Sequence, residues 1–501
     1  MSERSKRLKW NTISSIALQL TTVVCGFILP RLILGTFGSE VNGLVNSISQ
    51  FLSVITFLEL GVGAVVQSAL YKPLAVGDTK RISEIVRSAT DFFRKLARIL
   101  LVYIIVLMMV YPAISGRGFG YPYTSSLIAI ISISLFAQYY FGIPNIILLT
   151  ADQKGYIHYI AQIIAVILNT FLCWGLIRLG AGIHIVKLTT SIIFFIRPLV
   201  VYRYVNSHYQ IDRHIIITDE PIKQKWNGVA QHIAAFVLDG TDVMVLTLFS
   251  TLSNVSIYSV YHSVIYGIKQ LIISMTNGIQ SVFGELWARN DKDELRNFFS
   301  WIEWIIHTVS IYAFGCVATL IIPFVRVYTH GVNDANYIVP VFAIIITIAH
   351  MSHCLRLPYQ MMILACNRFK ETQRDYIASA LINLIISIIT VCFWGLIGVA
   401  IGTLIAMIHQ TIWMVLYNHK HLLKLPLKQF GKQILVDATV FCIGYGIGLL
   451  ISLKELTFLS WFVMAIEVAF LWGIIVLGVN ILFYKDNVMR VASMLFHAGK
   501  R

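Results

Sequence analysis

The stretch KWNTISSIALQLTTVVCGFILPRLIL, residues 9–34, decides the fold of this chain. Its basic and aromatic start leads directly into an apolar run that is long enough to cross the hydrocarbon core of a bilayer as one helix. The run is too long for the apolar part of a signal peptide and lacks a cleavage site. With thirteen similar stretches after it, the sequence predicts an all-α integral membrane protein of about 14 transmembrane helices. Their centres lie near residues 22, 54, 106, 137, 167, 193, 238, 269, 312, 351, 385, 407, 442 and 470.

The composition excludes a water-soluble protein, since 57% of the residues are hydrophobic, 13% are charged and the mean hydropathy is +0.76. The net charge of +15 does not indicate nucleic-acid binding, because its distribution explains it. Twenty-nine lysines and arginines fall in the two ends and in alternate loops, and only four fall in the other loops. Cationic loops remain in the cytoplasm. We therefore expect a multi-pass protein of the cell membrane with both termini in the cytoplasm.

An internal repeat divides most of the chain. Residues 9–11, Lys-Trp-Asn, recur at 225–227, and Asn169 recurs as Asn383 at nearly the same offset. Each repeat has an even number of helices, so the two insert in the same orientation, related by an axis along the membrane normal. The pattern predicts two parallel six-helix lobes around a central cavity, followed by two additional helices. The predicted segments are 1–215, 216–431 and 432–501.

Nothing in the sequence indicates an enzyme, a cofactor or a metal. No predicted loop is long enough for a soluble catalytic domain, and the phosphate-binding pattern of P-loop ATPases is absent. The seven cysteines are scattered through the predicted helices without metal-ligand spacing. They are interpreted as small buried apolar residues.

Two predicted helices carry long polar stripes. The stripe of the second helix consists of Asn42, Asn46, Ser49, Gln50, Ser53 and Thr56. The stripe of the eighth consists of Ser259, His262, Ser263, Tyr266, Lys269, Gln270, Ser274, Asn277 and Gln280. Their spacing of three or four residues places each set on one helix face. A lipid-facing stripe of this kind is costly, so the stripes face the predicted cavity or bond to neighbouring helices.

Charged residues inside predicted helices are candidate site residues. Lys269 lies near the middle of the eighth helix, and Asp239 and Asp242 share a face of the seventh. The aspartates either pair with the lysine or bind a cation or a proton. His350, His353 and Arg356 form a further stripe on the tenth helix.

The sequence gives weaker indications that other charged residues belong to the site. Arg31 lies close to the outer end of the first helix, where it either faces the cavity or reaches to the interface. Glu59, at the edge of the polar stripe of the second helix, is expected to form an ion pair with a neighbouring helix. Three residues are isolated in the sequence and receive no function: His307, His409 and Glu467.

Two stretches resemble a known family. The first runs from Phe57-Leu58-Glu59-Leu60-Gly61 through Ser68 and Tyr71-Lys72-Pro73-Leu74 to Asp78. The second runs from Gly395-Leu396-Ile397-Gly398 through Gly402-Thr403-Leu404-Ile405-Ala406 to Trp413. These residues are similar to polysaccharide flippases of the Wzx type, within the multidrug, oligosaccharidyl-lipid and polysaccharide exporter superfamily. The resemblance implies two six-helix lobes, often with two added helices, and alternating access.

The resemblance also implies a substrate. Such a flippase moves undecaprenyl-pyrophosphate-linked oligosaccharide units to the outer leaflet, for capsule, exopolysaccharide or O-antigen biosynthesis. Lys269, Arg356 and Arg31 are then candidates to receive the pyrophosphate. Candidates to bond sugar hydroxyls are Asn46, Gln50, Gln270 and Asn277. The implied partners are the lipid-linked oligosaccharide, membrane lipids, a polysaccharide polymerase and other assembly proteins.

Two other functions stay open at this point. A cation-coupled multidrug exporter of the same superfamily would use acidic cavity residues, which Asp239 and Asp242 permit and Lys269 disfavours. A membrane-embedded glycan polymerase or ligase would carry a large outward loop. The outward loops here are short and nearly uncharged, so an enzyme is the least favoured of the three.

Overall fold

The chain is all helix in a computed structural model, with no strand among the residues that the structure describes. These are residues 3–115, 118–213, 215, 236–238, 240–276 and 278–498. The chain divides into two compact units, residues 1–236 and 237–501. The predicted all-α fold class is thereby confirmed.

The first unit contains seven described helices. They are α1 (Glu3–Ser53), α2 (Phe57–Val76), α3 (Thr79–Ser115), α4 (Tyr121–Ala137), α5 (Ile143–Ala151), α6 (Tyr156–Arg178) and α7 (Ile183–His208). A π-helical turn at Gln138–Gly142 joins α4 to α5, so that these two helices form one continuous span.

Helix α1 is interrupted where two separate predicted helices meet. Gly38 has φ 83° and ψ 177°, a conformation outside the helical region that favours glycine. A 3₁₀ turn at Val54–Thr56 interrupts the second predicted helix and separates α1 from α2. Just ahead of it, the Phe51 carbonyl accepts a hydrogen bond from the Tyr103 hydroxyl at 2.9 Å. A side chain thus supplies a partner to backbone that would be unsatisfied in lipid.

The second unit contains the remaining described helices. They are α8 (Asp242–Phe249), α9 (Leu252–Met275), α10 (Ile279–Ala288), α11 (Lys292–Tyr328), α12 (Pro340–Leu355), α13 (Leu357–Ala365), α14 (Phe369–Trp394), α15 (Leu396–Tyr417), α16 (Leu427–Gly448), α17 (Phe458–Phe483) and α18 (Lys485–Ala498).

Ten helical segments among the described residues are long and apolar enough to cross a membrane. They match ten of the predicted spans, beginning with Lys9–Thr56. The other four predicted helices correspond to α2 with the end of α1, to α8 with the turn before it, and to α9 and α16. Polar and charged residues lower the hydropathy of α2, α9 and α16, among them Lys269 of α9 and Asp437 of α16. Helix α8 has 8 residues, and most of the predicted helix before it lies outside the described residues.

The last two long helices pack onto α11 of the second unit. Trp472 of α17 is fully buried, and its Nε1 donates to Thr319 Oγ1 at 3.1 Å. Its ring lies against Gly315 and Gly444, where an added Cβ would overlap it. Small residues at these positions permit the close approach of α11, α16 and α17. The predicted division at residues 215 and 431 stays a prediction, beside the two units that the contacts define.

Candidate functional site

Close packing of α14 against α15 brings polar side chains together in the second unit. The two helices are joined at Gly395, which has a positive φ of 53°. A Cβ at Gly398 would overlap the backbone of Thr390, and one at Gly402 would overlap Ser387. The absence of side chains at these glycines lets the helix axes approach. Polar residues of both helices therefore lie at one level of this helix pair.

Asp242 lies at the centre of this cluster and is only 3% exposed. Thr403 Oγ1 is 3.0 and 2.9 Å from its two carboxylate oxygens, and the Tyr258 hydroxyl donates to Oδ2 at 2.9 Å. Asn383 Nδ2 donates to Thr403 Oγ1 at 3.1 Å, and Thr241 Oγ1 donates to Asn383 Oδ1 at 3.2 Å. Residues from α8, α9, α14 and α15 thus surround one carboxylate.

The chemistry of this cluster suits a hard cation. It offers a carboxylate, three hydroxyl oxygens and an amide oxygen, which are the donors that such cations prefer. No group of three or more histidine, cysteine, aspartate or glutamate side chains that fits a metal ion occurs in the described part of the chain. With one acidic residue, the Asp242 cluster fits a monovalent cation or a proton better than a divalent metal.

An aromatic ladder on α9 extends from this cluster. The rings of Tyr258, His262 and Tyr266 stack at successive turns, each pair with a centroid separation of 5.3 Å. The His262 ring also meets His350 of α12, with centroids 5.6 Å apart. The predicted polar stripe of α9 is therefore in contact with α12 within the second unit.

The predicted cationic residues also come together in this unit. Lys269 and Arg356 are each 2% exposed. Arg356 Nη2 lies 2.6 Å from His353 Nδ1, and Nη1 lies 3.1 Å from Met407 Sδ. Because a guanidinium only donates, Nδ1 of His353 is the acceptor and its ring is neutral in this arrangement. Lys269, His350 and Arg356 are all close enough to His353 to repel a charge on it.

The other predicted residues are dispersed. Arg31 is half-buried, and its Nη1 points along α1 towards Gly35, one turn further on. Asn46 Nδ2 donates to the Asn42 carbonyl at 2.9 Å, and Gln50 is half-buried one turn further on. Gln270 is half-buried beside Lys269. Two predicted residues lie outside the described part of the chain: Asp239 and Asn277.

Glu59 has a different partner from the one expected. The Tyr139 hydroxyl donates to Glu59 Oε2 at 2.9 Å, within the first unit. No ion pair of Glu59 occurs among the described residues. The reason is local: the π-helical turn that joins α4 to α5 carries Tyr139 with its side chain fully buried. A neutral donor satisfies the carboxyl group in place of the expected cation.

Sequence reasoning missed the neutral members of the Asp242 cluster. Thr403 and Asn383 appeared only as parts of a resemblance and of a repeat, and Tyr258 did not appear at all. A single threonine or asparagine in an apolar helix is common, so its type alone carries little information. A usable signal was that Thr403 follows Gly402, where two helices meet closely.

His307 is not isolated, contrary to the sequence analysis. Its Nδ1 lies 2.6 Å from Asp437 Oδ2, and its Nε2 lies 3.1 Å from the Leu355 carbonyl. Gln433 Nε2 donates to the other oxygen of Asp437 at 3.1 Å. One turn before His307, Glu303 accepts a short hydrogen bond from Tyr359. These buried bonds connect α11 to α12, α13 and α16.

No protein-family model matches the sequence, and no curated protein matches it. Solved structures do match. The lipid II flippase MurJ in an inward closed conformation has a TM-score of 0.69 at 17% identity, with 95% of this chain and 99% of that chain covered. An inward-facing multidrug resistance MATE family transporter of the MOP superfamily has a TM-score of 0.59 at 15% identity, with 81% and 97% covered. A eukaryotic MATE transporter has a TM-score of 0.57 at 13% identity, with 86% and 98% covered.

These similarities establish the fold. The chain has the helical fold shared by the flippase MurJ and the MATE transporters of the MOP superfamily. The identities of 13–17% carry no statement about substrate. Function must therefore be argued from the side chains.

Proposed function

We propose that the chain is a transporter that flips an undecaprenyl-pyrophosphate-linked oligosaccharide from the cytoplasmic to the outer leaflet, for surface polysaccharide biosynthesis. The observation that carries the proposal is the burial of Lys269 and Arg356 together in the membrane interior of the second unit. One of the solved structures with this fold is named a lipid II flippase, which supports a lipid-linked substrate. The proposed mechanism is alternating access.

The charges suit the proposed substrate. A pyrophosphate head is an anion that a guanidinium can bind through two parallel hydrogen bonds and an ammonium as a point charge. Both side chains are 2% exposed in this conformation, so the helices around them must move before a large head group reaches them. His353 and Met407 hold the Arg356 guanidinium until then.

Ion coupling is assigned to Asp242. Its cluster of carboxylate, hydroxyl and amide oxygens can take up a monovalent cation or a proton. Asp242 belongs to α8 and Lys269 to α9, and these two helices contact one another within the second unit. Binding of a cation near Asp242 changes the field at the cationic residues. Such a change links ion occupancy to anion affinity.

A cation-coupled multidrug exporter is the second candidate, and one observation favours it. Asp242 is a buried carboxylate next to the aromatic ladder of Tyr258 and Tyr266, a combination that attracts organic cations. The two candidates differ in the sign of the substrate. Arg356 and Lys269 favour the anionic substrate.

Deletion of the gene tests the proposal. We expect lipid-linked oligosaccharide to accumulate in the inner leaflet and surface polysaccharide to be lost, with both defects reversed by the wild-type chain. Accumulation of flipped but unpolymerised units would instead indicate a polymerase. Unchanged polysaccharide together with increased sensitivity to cationic drugs would indicate the exporter.

A further inference from the structure

A second buried carboxylate in this unit has no hydrogen-bond donor. Asp375, on the inner part of α14, is 3% exposed, and neither of its carboxylate oxygens accepts a hydrogen bond from any described residue. The imidazole of His409 on α15 lies beside it, with Nδ1 3.7 Å from Oδ1. That distance is beyond a hydrogen bond.

Gln410, the neighbour of His409 on α15, is fully buried and has the same deficit. Neither its amide oxygen nor its amide nitrogen has a partner among the described residues. The pairing of Ser379 Oγ with His409 Nδ1 at 3.1 Å shows that α14 and α15 meet at this level. Two buried polar groups without partners are destabilising. Ionisation of Asp375 would raise that cost steeply.

The charged groups around Asp375 are few. From the junction of α12 and α13, Arg356 is close enough to attract the carboxylate, but it bonds to His353 and Met407 instead. From α8, Asp242 lies at the level of Asn383, two helical turns further along α14, or roughly 12 Å away. On α14 itself, Glu371 lies one turn earlier and pairs with Arg368.

His409 connects this buried group to the surface of the unit. Its side chain is 38% exposed, whereas Asp375 is buried behind it. Its Nδ1 already forms a hydrogen bond with the Ser379 hydroxyl. An imidazole can take a proton on one nitrogen and release one from the other, so it can pass a proton to or from a buried acid beside it.

We infer that Asp375 is a proton-binding site, that it is a neutral carboxylic acid in this conformation, and that it exchanges its proton through His409. A protonated Asp375 is uncharged, so its burial without a donor costs far less than that of a carboxylate. The site is separate from Asp242, where hydroxyl donors already satisfy the carboxylate.

The proton site also responds to the cationic residues. The attraction of Arg356 favours the ionised form of Asp375, and an anion bound at Arg356 offsets that attraction. Anion binding and proton uptake are then linked with the same sign. This link rests on the proposed function, whereas the proton site does not.

Infrared difference spectroscopy of the purified full chain in lipid bilayers tests the site. The C=O stretch of a carboxylic acid is distinct from the stretches of a carboxylate, so protonation is read directly. We expect the wild-type chain to show the acid band at neutral pH and to lose it as the pH rises. Asp375→Asn removes the titrating band. Asp437→Asn, which changes a buried aspartate that is bonded to His307 and Gln433, retains it.

Two further variants make the result decisive. Asp375→Glu keeps a carboxyl group and should shift the band, which excludes misfolding as the cause of its loss in the asparagine variant. His409→Ala should retain the band but slow its disappearance after a jump to high pH. Identical spectra for the wild-type chain and the asparagine variant would overturn the proton site. A titrating band that inorganic pyrophosphate leaves unchanged would contradict only the link to Arg356.

Discussion

Lys269 and Arg356 are two basic side chains buried inside the second unit. A charge at the centre of a membrane helix is unfavourable by roughly 2.5–3.5 kcal/mol on insertion scales. For Arg356, hydrogen bonds to His353 and Met407 offset part of this cost. An anionic head group would recover more, since two opposite unit charges 4 Å apart attract by about 4 kcal/mol at an effective dielectric constant of 20.

Replacement of Lys269 tests that attraction. We expect Lys269→Ala to lower transport by about two orders of magnitude, because 1.4 kcal/mol corresponds to a factor of ten. Lys269→Arg keeps the charge and should retain part of the activity. Export of surface polysaccharide is measured, with membrane protein level as the control. Normal export by the alanine variant would show that the lysine has a structural role only.

Replacement of Thr403 tests the cation site at Asp242. Thr403→Val removes a hydroxyl that bonds to a carboxylate, an interaction of about 1.5–3 kcal/mol. Loss of a ligand oxygen should shift the sodium dependence of flux to about 10- to 100-fold higher sodium. A proton dependence should shift the opposite way, to lower proton concentration, because the carboxylate loses a donor that stabilises its ionised form. Thr347→Val is the matched control, because the buried Thr347 hydroxyl bonds to its own helix at Ala343. An equal effect of both variants would contradict the assignment.

At the scale of helices, the spans were predictable and the site was predictable only in part. Long apolar runs fix the spans because any exposed backbone in lipid is costly. Lys269, Arg356 and Asp242 were predictable because charges are rare inside membrane helices. Their neutral partners, such as Thr403 and Asn383, were not. Their role depends on how closely α14 and α15 approach, which is a property of tertiary packing and not of either helix alone.

That approach gives a prediction at the same scale. Gly402→Ala should destabilise the chain by about 1–3 kcal/mol, because the added methyl group overlaps Ser387. It should also weaken the cation dependence by displacing Thr403. The control is Gly175→Ala, at a helical position of α6 with no atom within 4 Å of the added Cβ. Thermal stability in detergent gives the comparison; equal transition temperatures would refute close packing at Gly402.

At the scale of the whole molecule, loop charge predicts orientation. Cysteine labelling with an impermeant reagent should modify sites near Lys80, Asp212, Lys292 and Lys424 only from the cytoplasmic side. Sites near Arg117 and Asp334 should react only from outside. Labelling of both sets from one side would refute the arrangement with both termini in the cytoplasm.

The orientation of the chain also determines how the membrane potential acts on transport. Movement of one net charge across the membrane exchanges about 2.3 kcal/mol per 100 mV. An inside-negative potential therefore favours outward movement of an anionic head group. The membrane potential, the cation site at Asp242 and the proton site at Asp375 are separate sources of energy for transport. Variants of the two aspartates distinguish their contributions.

The central claim is that this chain moves a lipid-linked anion, and flux in proteoliposomes tests it most directly. The purified chain is reconstituted with an undecaprenyl-pyrophosphate-linked oligosaccharide, with potential, pH and sodium clamped independently, and the leaflet position of the glycan is followed with an impermeant glycan-modifying enzyme. We predict transfer between leaflets that an inside-negative potential accelerates and that Lys269→Ala lowers by about two orders of magnitude. Absence of transfer, with cationic drugs moved by the same vesicles, would contradict the claim.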